Sequence, residues 1–512
     1  MVLMPYQDAI ACSDRKISVH ANSPTESLFK VSNATYVIKG TMDLQGKTFR
    51  IPEGCTLCFK NGFLANGTLF GTDTKLKLLK SNCLGVTLLG NWDCETIKDS
   101  YFDAHFLSDD QIMTNINNLQ SDSVKQETVL EKPDYICSIA KNDGALLILK
   151  SNTSLILNSS ISIEGNNYTS YNIIRIMGKE NVSIKGGELH GDVGKHTYSL
   201  VNSSQWGHGI NIHGSKNVKV SDIIITHCIG DGIAISGGKE PVIGDYSNAS
   251  TNITLSNVTT RYNRRQGLSI IHASDVEVTN CVFSDTGVIE KHSPSAGIDI
   301  EPNTAAPYFQ SVRNVTIKKC ILERNVGYGI LSNHYESNKG ASSVENVLFI
   351  DCITDSQVAL YTGGINFLNT SMQQLSMIAE KDPIIGSRFE GCVIAGGYGV
   401  QFYCPNSGFD VSTKIRDLVF ENCDISVPSK GNLRTSNGIF WCRGKSERMR
   451  NVTVRNSRVT IPQEVTSQFN LFGTANTDIY FENSRILIPG RNFPEGFVNR
   501  KNCKIVSRNI NE

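Results

Sequence analysis

Apolar and polar positions alternate along most of this chain, in phrases that return. His208-Gly209-Ile210-Asn211-Ile212-His213 is followed by Asp231-Gly232-Ile233-Ala234-Ile235-Ser236, Gln266-Gly267-Leu268-Ser269-Ile270-Ile271 and Ala296-Gly297-Ile298-Asp299-Ile300-Glu301. Shorter copies start at Gly329, Gly364, Gly399 and Gly438. After each glycine the first and third places are apolar and the second and fourth variable, the period-two mark of a strand with one buried face. Successive glycines lie 23, 35, 30, 32, 35, 35 and 39 residues apart, the spacing of one supersecondary unit stacked many times.

A second alternating series interleaves with the first, as in Asn217-Val218-Lys219-Val220, Asn252-Ile253-Thr254-Leu255, Asp275-Val276-Glu277-Val278 and Asn451-Val452-Thr453-Val454. Two residues after each of these strands come Asn257, Asn280, Lys319, Asp351, Gly391, Asn422, Asn456 and Asn483. Asn, Asp and Gly tolerate a left-handed backbone, so the place reads as a tight corner. Next stand Cys281, Cys320, Cys352, Cys392 and Cys423, then Ser457 and Ser484, each before another short strand. Two or three short strands per turn, a sharp corner and a fixed inward residue predict an all-β, single-stranded right-handed parallel β-helix of about ten or more coils.

Outside the repeats the pattern divides the chain. Residues 1–30 are polar and without period, and read as a leader or attachment segment. Residues 31–105 hold short strands separated by glycines, either a β-rich subdomain or the first coils. Ser108 precedes Ile112, Ile116 and Leu119 at helical spacing, which predicts a short capping helix over the open end of the solenoid. The β-helix is then expected over 106–486, with a C-terminal cap at 487–512. Polar stretches at about 239–250, 286–295, 304–312, 333–343, 370–386 and 404–414 read as loops between coils.

Composition narrows the partners. With 49 basic and 49 acidic residues nothing selects nucleic acid or a membrane surface. The opening residues lack the basic and then apolar run of a signal peptide, and no segment approaches the apolar length of a membrane span. Five of the 15 cysteines occupy the repeated inward place, which predicts a ladder of buried thiols instead of disulfides or a metal site. Free thiols suit a chain folded in a reducing cytosol.

Leu149-Lys150-Ser151-Asn152-Thr153-Ser154-Leu155 and Gly178 to Asp192, with its Gly186-Gly187-Glu188-Leu189-His190-Gly191, resemble the entry coils of the pectate-lyase-like β-helix superfamily, which includes polygalacturonases and bacteriophage tailspike depolymerases. The resemblance covers about residues 100–485. It implies an extracellular polysaccharide, acidic or capsular, lying along the outside of the coils, a virion-associated or extracellular setting, and a homotrimer. The polygalacturonase catalytic set is not carried over. Gly230-Asp231-Gly232 has one Asp where that family has two, Gly207-His208-Gly209 precedes it instead of following, and Asn-Thr-Asp and Arg-x-Lys phrases are not in place.

The second and fourth places of the glycine phrase point outward, so successive coils display Asn211 and His213, Ala234 and Ser236, Ser269 and Ile271, and Asp299 and Glu301. Two strand residues at i and i+2 lie roughly 6.6 Å apart at about 3.3 Å per residue. Carboxyls about 6.5–9.5 Å apart suit inverting glycoside hydrolysis, one giving a proton and one activating water, and like charges that close raise one pKa. Asp299 and Glu301 are therefore the expected acid and base, with a solvated acidic strand or a calcium site as the alternative; Asp231, at a place where an Asp also serves as a turn former, is a third catalytic candidate. Arg264 and Arg265 enter beside them and could bind a uronate or pair with the carboxylates. His208, His213, His272 and His334 surround the same coils and, with Asn211, complete the expected substrate-binding set. Tyr328, Tyr335, Tyr361, Tyr398, Tyr403 and Trp441 could stack on sugars or simply cover the sheet. No metal or cofactor is expected for a hydrolase. Two other readings stay open: a lyase in which Arg or Lys abstracts a proton beside a uronate neutralised by Ca2+, and a non-catalytic glycan-binding adhesin.

Overall fold

The computed structural model describes residues 15–20, 28–77, 81–199, 204–240, 244–302, 309–333, 343–380, 383–397, 399–404, 415–427, 440–444, 449–460, 479–489, 499–501 and 504–508. Two compact units emerge, residues 1–138 with 146–160, and residues 139–145 with 161–512.

In the first unit, Lys16–His20, Thr35–Asp43, Thr56–Lys77 and Leu84–Asp93 pair in parallel in that order. The first of these falls in the segment expected to be a leader, yet Lys16–His20 pairs residue for residue with Thr35–Lys39. Only Ile17 and Val19 carry its alternation, too short a run to register as periodic. Helix α1 (Asp109–Leu119) starts where the sequence places it. Ser108 Oγ accepts the Gln111 N–H while Gln111 Oε1 accepts the Ser108 N–H, a reciprocal cap. Its buried Ile112, Ile116 and Leu119 form the apolar face, and Asn115 bridges the Val86 carbonyl and the Leu88 N–H of the adjacent strand.

In the second unit the glycine phrases are strands β1 (Trp206–His213), β2 (Asp231–Ser236), β3 (Gln266–Ile270), β4 (Ala296–Ile300) and β5 (Tyr328–Ser332). They pair in parallel and in register: Asn211 lies opposite Ala234, Ala234 opposite Ser269, Ser269 opposite Asp299, and Asp299 opposite Leu331. The second series forms its own parallel ladder through Lys216–Ser221, Ser250–Ser256, Ala273–Thr279, Val312–Lys318 and Val344–Ile350. Short strands such as Thr259–Arg261 and Val282–Ser284 complete each coil, giving the right-handed parallel β-helix. The corners are as expected: Asn257, Asn280, Lys319, Asp351, Gly391, Asn422, Asn456 and Asn483 all have φ between +47° and +63°. Cys281, Cys320, Cys352, Cys392 and Cys423 are buried, and each of the twelve cysteines whose side chains are described is a free thiol. Among the described residues no helix is long and apolar enough to cross a membrane.

Two readings of the later coils are corrected. Ile365–Leu368, assigned to the glycine series, pairs instead with Val344–Ile350 of the second series. Phe367 stacks between Phe349 and Phe389, at 5.0 and 5.2 Å, and that aromatic column fixes its place. The glycine-series strand of that coil is Ile353–Leu360, which has no glycine. The stretch 370–386, expected as a loop, contains strand Ser371–Ile378, paired with Ile353–Leu360. Its buried Met372, Leu375 and Met377 are masked in sequence by Gln373 and Gln374. The expected cap at 487–512 and the loop at 404–414 lie largely outside the described residues.

A buried carboxyl cluster as candidate active site

Each glycine of the phrase turns toward the core: a Cβ on Gly209 would stand 2.3 Å from Ile225 Cγ2. The residue before the glycine is therefore turned to the same outer side as the second and fourth places after it. Three outward columns result instead of two. His208, Asp231, Gln266 and Ala296 form the first, Asn211, Ala234, Ser269 and Asp299 the second, and His213, Ser236, Ile271 and Glu301 the third.

Arg265 lies just before the first column. Its N–H donates to Gly230 O and its carbonyl accepts from the Ala296 N–H, which sets it between the coil of Asp231 and the coil of Glu301. Its Nη1 donates to both oxygens of Asp231, at 3.2 and 3.1 Å, and to Gln266 Oε1 at 2.8 Å. Its Nη2 donates to both oxygens of Glu301 at 2.8 Å. Burial works against the charge of Arg265, but Asp231 and Glu301 outweigh it and hold its pKa up.

The neighbours complete the network. Ser269 Oγ donates to Asp231 Oδ2 at 2.8 Å, and Gln266 Nε2 donates to Asp299 Oδ2 at 2.6 Å. Asp299 Oδ1 is buried without a hydrogen-bond partner. Burial, and then the Glu301 charge, push the Asp299 carboxyl well above the ordinary range. An orphan oxygen in a buried site fits a protonated acid. Asp231 and Glu301 are raised by burial as well, with Arg265 opposing in each case.

Of the residues singled out in sequence, Asp231, Asp299, Glu301 and Arg265 share this one network, and His208 adjoins it. His208 Nδ1 accepts the Asp231 N–H at 3.1 Å, and burial followed by the Arg265 charge lowers its pKa to about 3. It is a neutral imidazole carrying its proton on Nε2. Asn211 and His213 lie farther along the same face, with His213 Nδ1 2.9 Å from Ser236 Oγ. Arg264 is not brought in: its guanidinium stacks on Tyr198 at 4.2 Å and an Nη1 proton goes to Ser204 O. His272 is also apart, buried against Ser311 and stacked on Tyr246 at 5.7 Å. His334, Tyr335 and Tyr398 lie outside the described residues, as does the side chain of Trp441.

Gln266 and Trp206 were not singled out. The sign for Gln266 was its place one residue before a glycine, the first outward column. Trp206 is 43% exposed and has the Arg265 guanidinium 5.1 Å from its ring centre. It borders a groove of 280 Å³ shared with His208, Asn211, Ala234 and Ser236. Among the described residues no group of three or more His, Cys, Asp or Glu is placed to hold a metal ion.

Residues 136–305 and 208–376 match the family model described as right handed beta helix region. The SPbeta prophage-derived uncharacterized protein YorA of Bacillus subtilis strain 168 is 30% identical over 199 residues, 37% of this chain and 34% of that protein. YclG, an uncharacterized protein of the same strain, is 32% identical over 181 residues, 33% of this chain and 31% of that protein. The chain thus spans about a third of the length of these curated relatives. Among solved structures, the Agl-KA catalytic domain superposes with a TM-score of 0.51 at 13% identity, covering 81% of this chain and 68% of that one. The A-module of the Azotobacter vinelandii mannuronan C-5 epimerase AlgE6 gives 0.47 at 11% identity, covering 79% and 96%. The tailspike gp49 of Acinetobacter baumannii bacteriophage Fri1, a capsular polysaccharide depolymerase, gives 0.45 at 11% identity, covering 81% and 65%. At such identities the likeness is one of fold.

Proposed function

We propose that this right-handed parallel β-helix protein hydrolyses glycosidic bonds of a polysaccharide laid across the outer face of β1 to β5. The observation that carries the reading is the placement of Asp299, whose carboxyl is pushed well up by burial and then by the Glu301 charge, beside an Arg265-bound Glu301 at adjacent outward places of one coil. Asp299 gives its proton to the leaving glycosidic oxygen. Glu301, whose rise by burial Arg265 opposes, takes a proton from the water that attacks the anomeric carbon. Asp231 binds the other edge of Arg265 and so fixes where Glu301 stands. Asp299 has no accessible surface in the free protein, so the substrate must displace what covers it.

A lyase built on Arg265 is less well supported, because both terminal nitrogens already serve two carboxylates and the cation is held protonated. The prophage origin of YorA favours a virion-associated setting. The test is to incubate the full chain with a panel of bacterial capsular and plant polysaccharides, reading new reducing ends and the ultraviolet absorbance of unsaturated sugars together. Reducing ends without absorbance, lost in Asp299→Asn and Glu301→Gln, are expected. Absorbance would indicate the lyase, full activity in both variants would remove the site, and binding without release would identify an adhesin.

A further inference from the structure

We infer that the groove beside the carboxyl cluster is a subsite for an uncharged sugar ring, stacked on Trp206 and hydrogen-bonded by amides, hydroxyls and imidazoles, and not for a uronate or sulfated sugar. The inference rests on the polysaccharide reading above and names the substrate class of that same face.

Its first support is where the cations go. Recognition of a sugar carboxylate or sulfate is best served by an arginine fork or a lysine left open to the ligand. Arg265 is committed to Asp231 and Glu301, and Arg264 to Ser204 and Tyr198. Arg175 lies opposite Asn211 in the sheet, and its Nη2 donates to the main-chain oxygens of Asp143 and Gly144 at 2.8 and 3.2 Å. Among the described residues lining the groove, the one formal charge is the carboxylate of Asp143, whose side chain is 75% exposed. Its Oδ1 lies 3.5 Å from Arg175 Nη2, so this pair offers an acidic sugar no open cation.

Its second support is the wall itself. Trp206 offers an amphipathic ring, edge-on to His208 at 6.3 Å and with the Arg265 guanidinium 5.1 Å from its centre. Ser170, Asn172, Asn211 and Ser236 supply hydroxyls and amides, which match sugar hydroxyls as donor or acceptor. His208 is committed as an acceptor through Nδ1 and so offers an Nε2 donor. The 280 Å³ volume sits near the small end of ligand pockets, about 300–1,000 Å³, and suits one ring at a time.

The test uses the full chain carrying Asp299→Asn, so that a bound substrate stays uncut. Short neutral oligosaccharides from glucan, galactan, mannan and chitin are compared with acidic ones from galacturonan and alginate, by tryptophan fluorescence and calorimetry. Neutral probes are expected to bind, with affinity changing less than about twofold between low and high salt. Adding Trp206→Ala is expected to weaken that binding about tenfold or more, while Trp206→Phe retains most of it. Asp143→Asn is expected to narrow the preference for neutral probes. Tighter binding of the acidic set, a strong loss of affinity in salt, or no binding of any neutral probe would overturn the inference. Cleavage of an acidic polymer by the unmodified protein sinks the subsite and keeps the hydrolase. Salt-independent neutral binding with no cleavage of the corresponding polymers does the reverse.

Discussion

Arg265 and Glu301 meet through a single nitrogen: Nη2 lies 2.8 Å from both carboxylate oxygens, while Nη1 is spent on Asp231 and Gln266. One guanidinium thus ties two carboxyls from coils that are not adjacent. Arg265→Ala leaves both without their cation in a buried site, and is expected to lower unfolding free energy by about 3–5 kcal/mol. Arg265→Lys recovers only part, since an ammonium cannot span the two carboxyls. Denaturant unfolding of both variants measures this, and wild-type stability in Arg265→Ala would refute the role.

The acid and base separate by substitution. Asp299→Asn and Glu301→Gln each keep shape and are expected to lower kcat about 10²- to 10⁴-fold. Far-ultraviolet circular dichroism should stay unchanged. A loss of only a few-fold in both would move the chemistry elsewhere on the face.

Stability against pH follows from the directions of the shifts. Asp299 is raised above its unfolded value of 3.8, so its contribution is full below that pH and is lost as pH rises through the folded value. Asp299→Asn should therefore be more stable than the unmodified protein at neutral pH, with the gain vanishing in acid. His208 is lowered from 6.5 to about 3, so its contribution is full above 6.5 and is lost as pH falls toward 3. His208→Gln should flatten that acid limb in unfolding midpoints taken across the range.

The thiol ladder predicts its own tolerance. Cys320 Sγ lies 3.4 Å from Lys318 O, the same i−2 contact that Ser457 and Ser484 make by Oγ at 2.8 and 2.9 Å. Cys320→Ser is expected to change stability by less than about 1 kcal/mol. Cys320→Leu overpacks the column and is expected to destabilise by about 1–3 kcal/mol. Equal effects in chemical unfolding would contradict the ladder.

Lys319 occupies a corner at φ +54° where most coils carry Asn, Asp or Gly. Lys319→Asn is expected to stabilise by up to about 1 kcal/mol, because Asn tolerates the left-handed backbone better. A lowered melting temperature would count against that account.

Much of this protein could be read from its sequence. A solenoid repeats its environment once per coil, so alternation, corner residue and inward thiol recur at fixed offsets from each glycine and reveal the fold by repetition. That Asp299 and Glu301 share one outward face followed from the same period. Where a coil broke the pattern the reading failed: Gly364 resembled the glycine series, yet the stacking of Phe367 between Phe349 and Phe389 put its strand in the other ladder. The site's partners were beyond the sequence because they depend on registry across coils. Arg264 and Arg265 are adjacent in the chain and equivalent in composition, but alternate backbone directions send one to Tyr198 and Ser204 and the other to Asp231 and Glu301. His208 and His272 are likewise alike in sequence, and only the packed coils place one beside Asp231 and the other against Ser311. Period specifies which face a residue takes, because side-chain direction is local; burial and pairing of charge are set by what stacks above and below, which only the folded coils bring together.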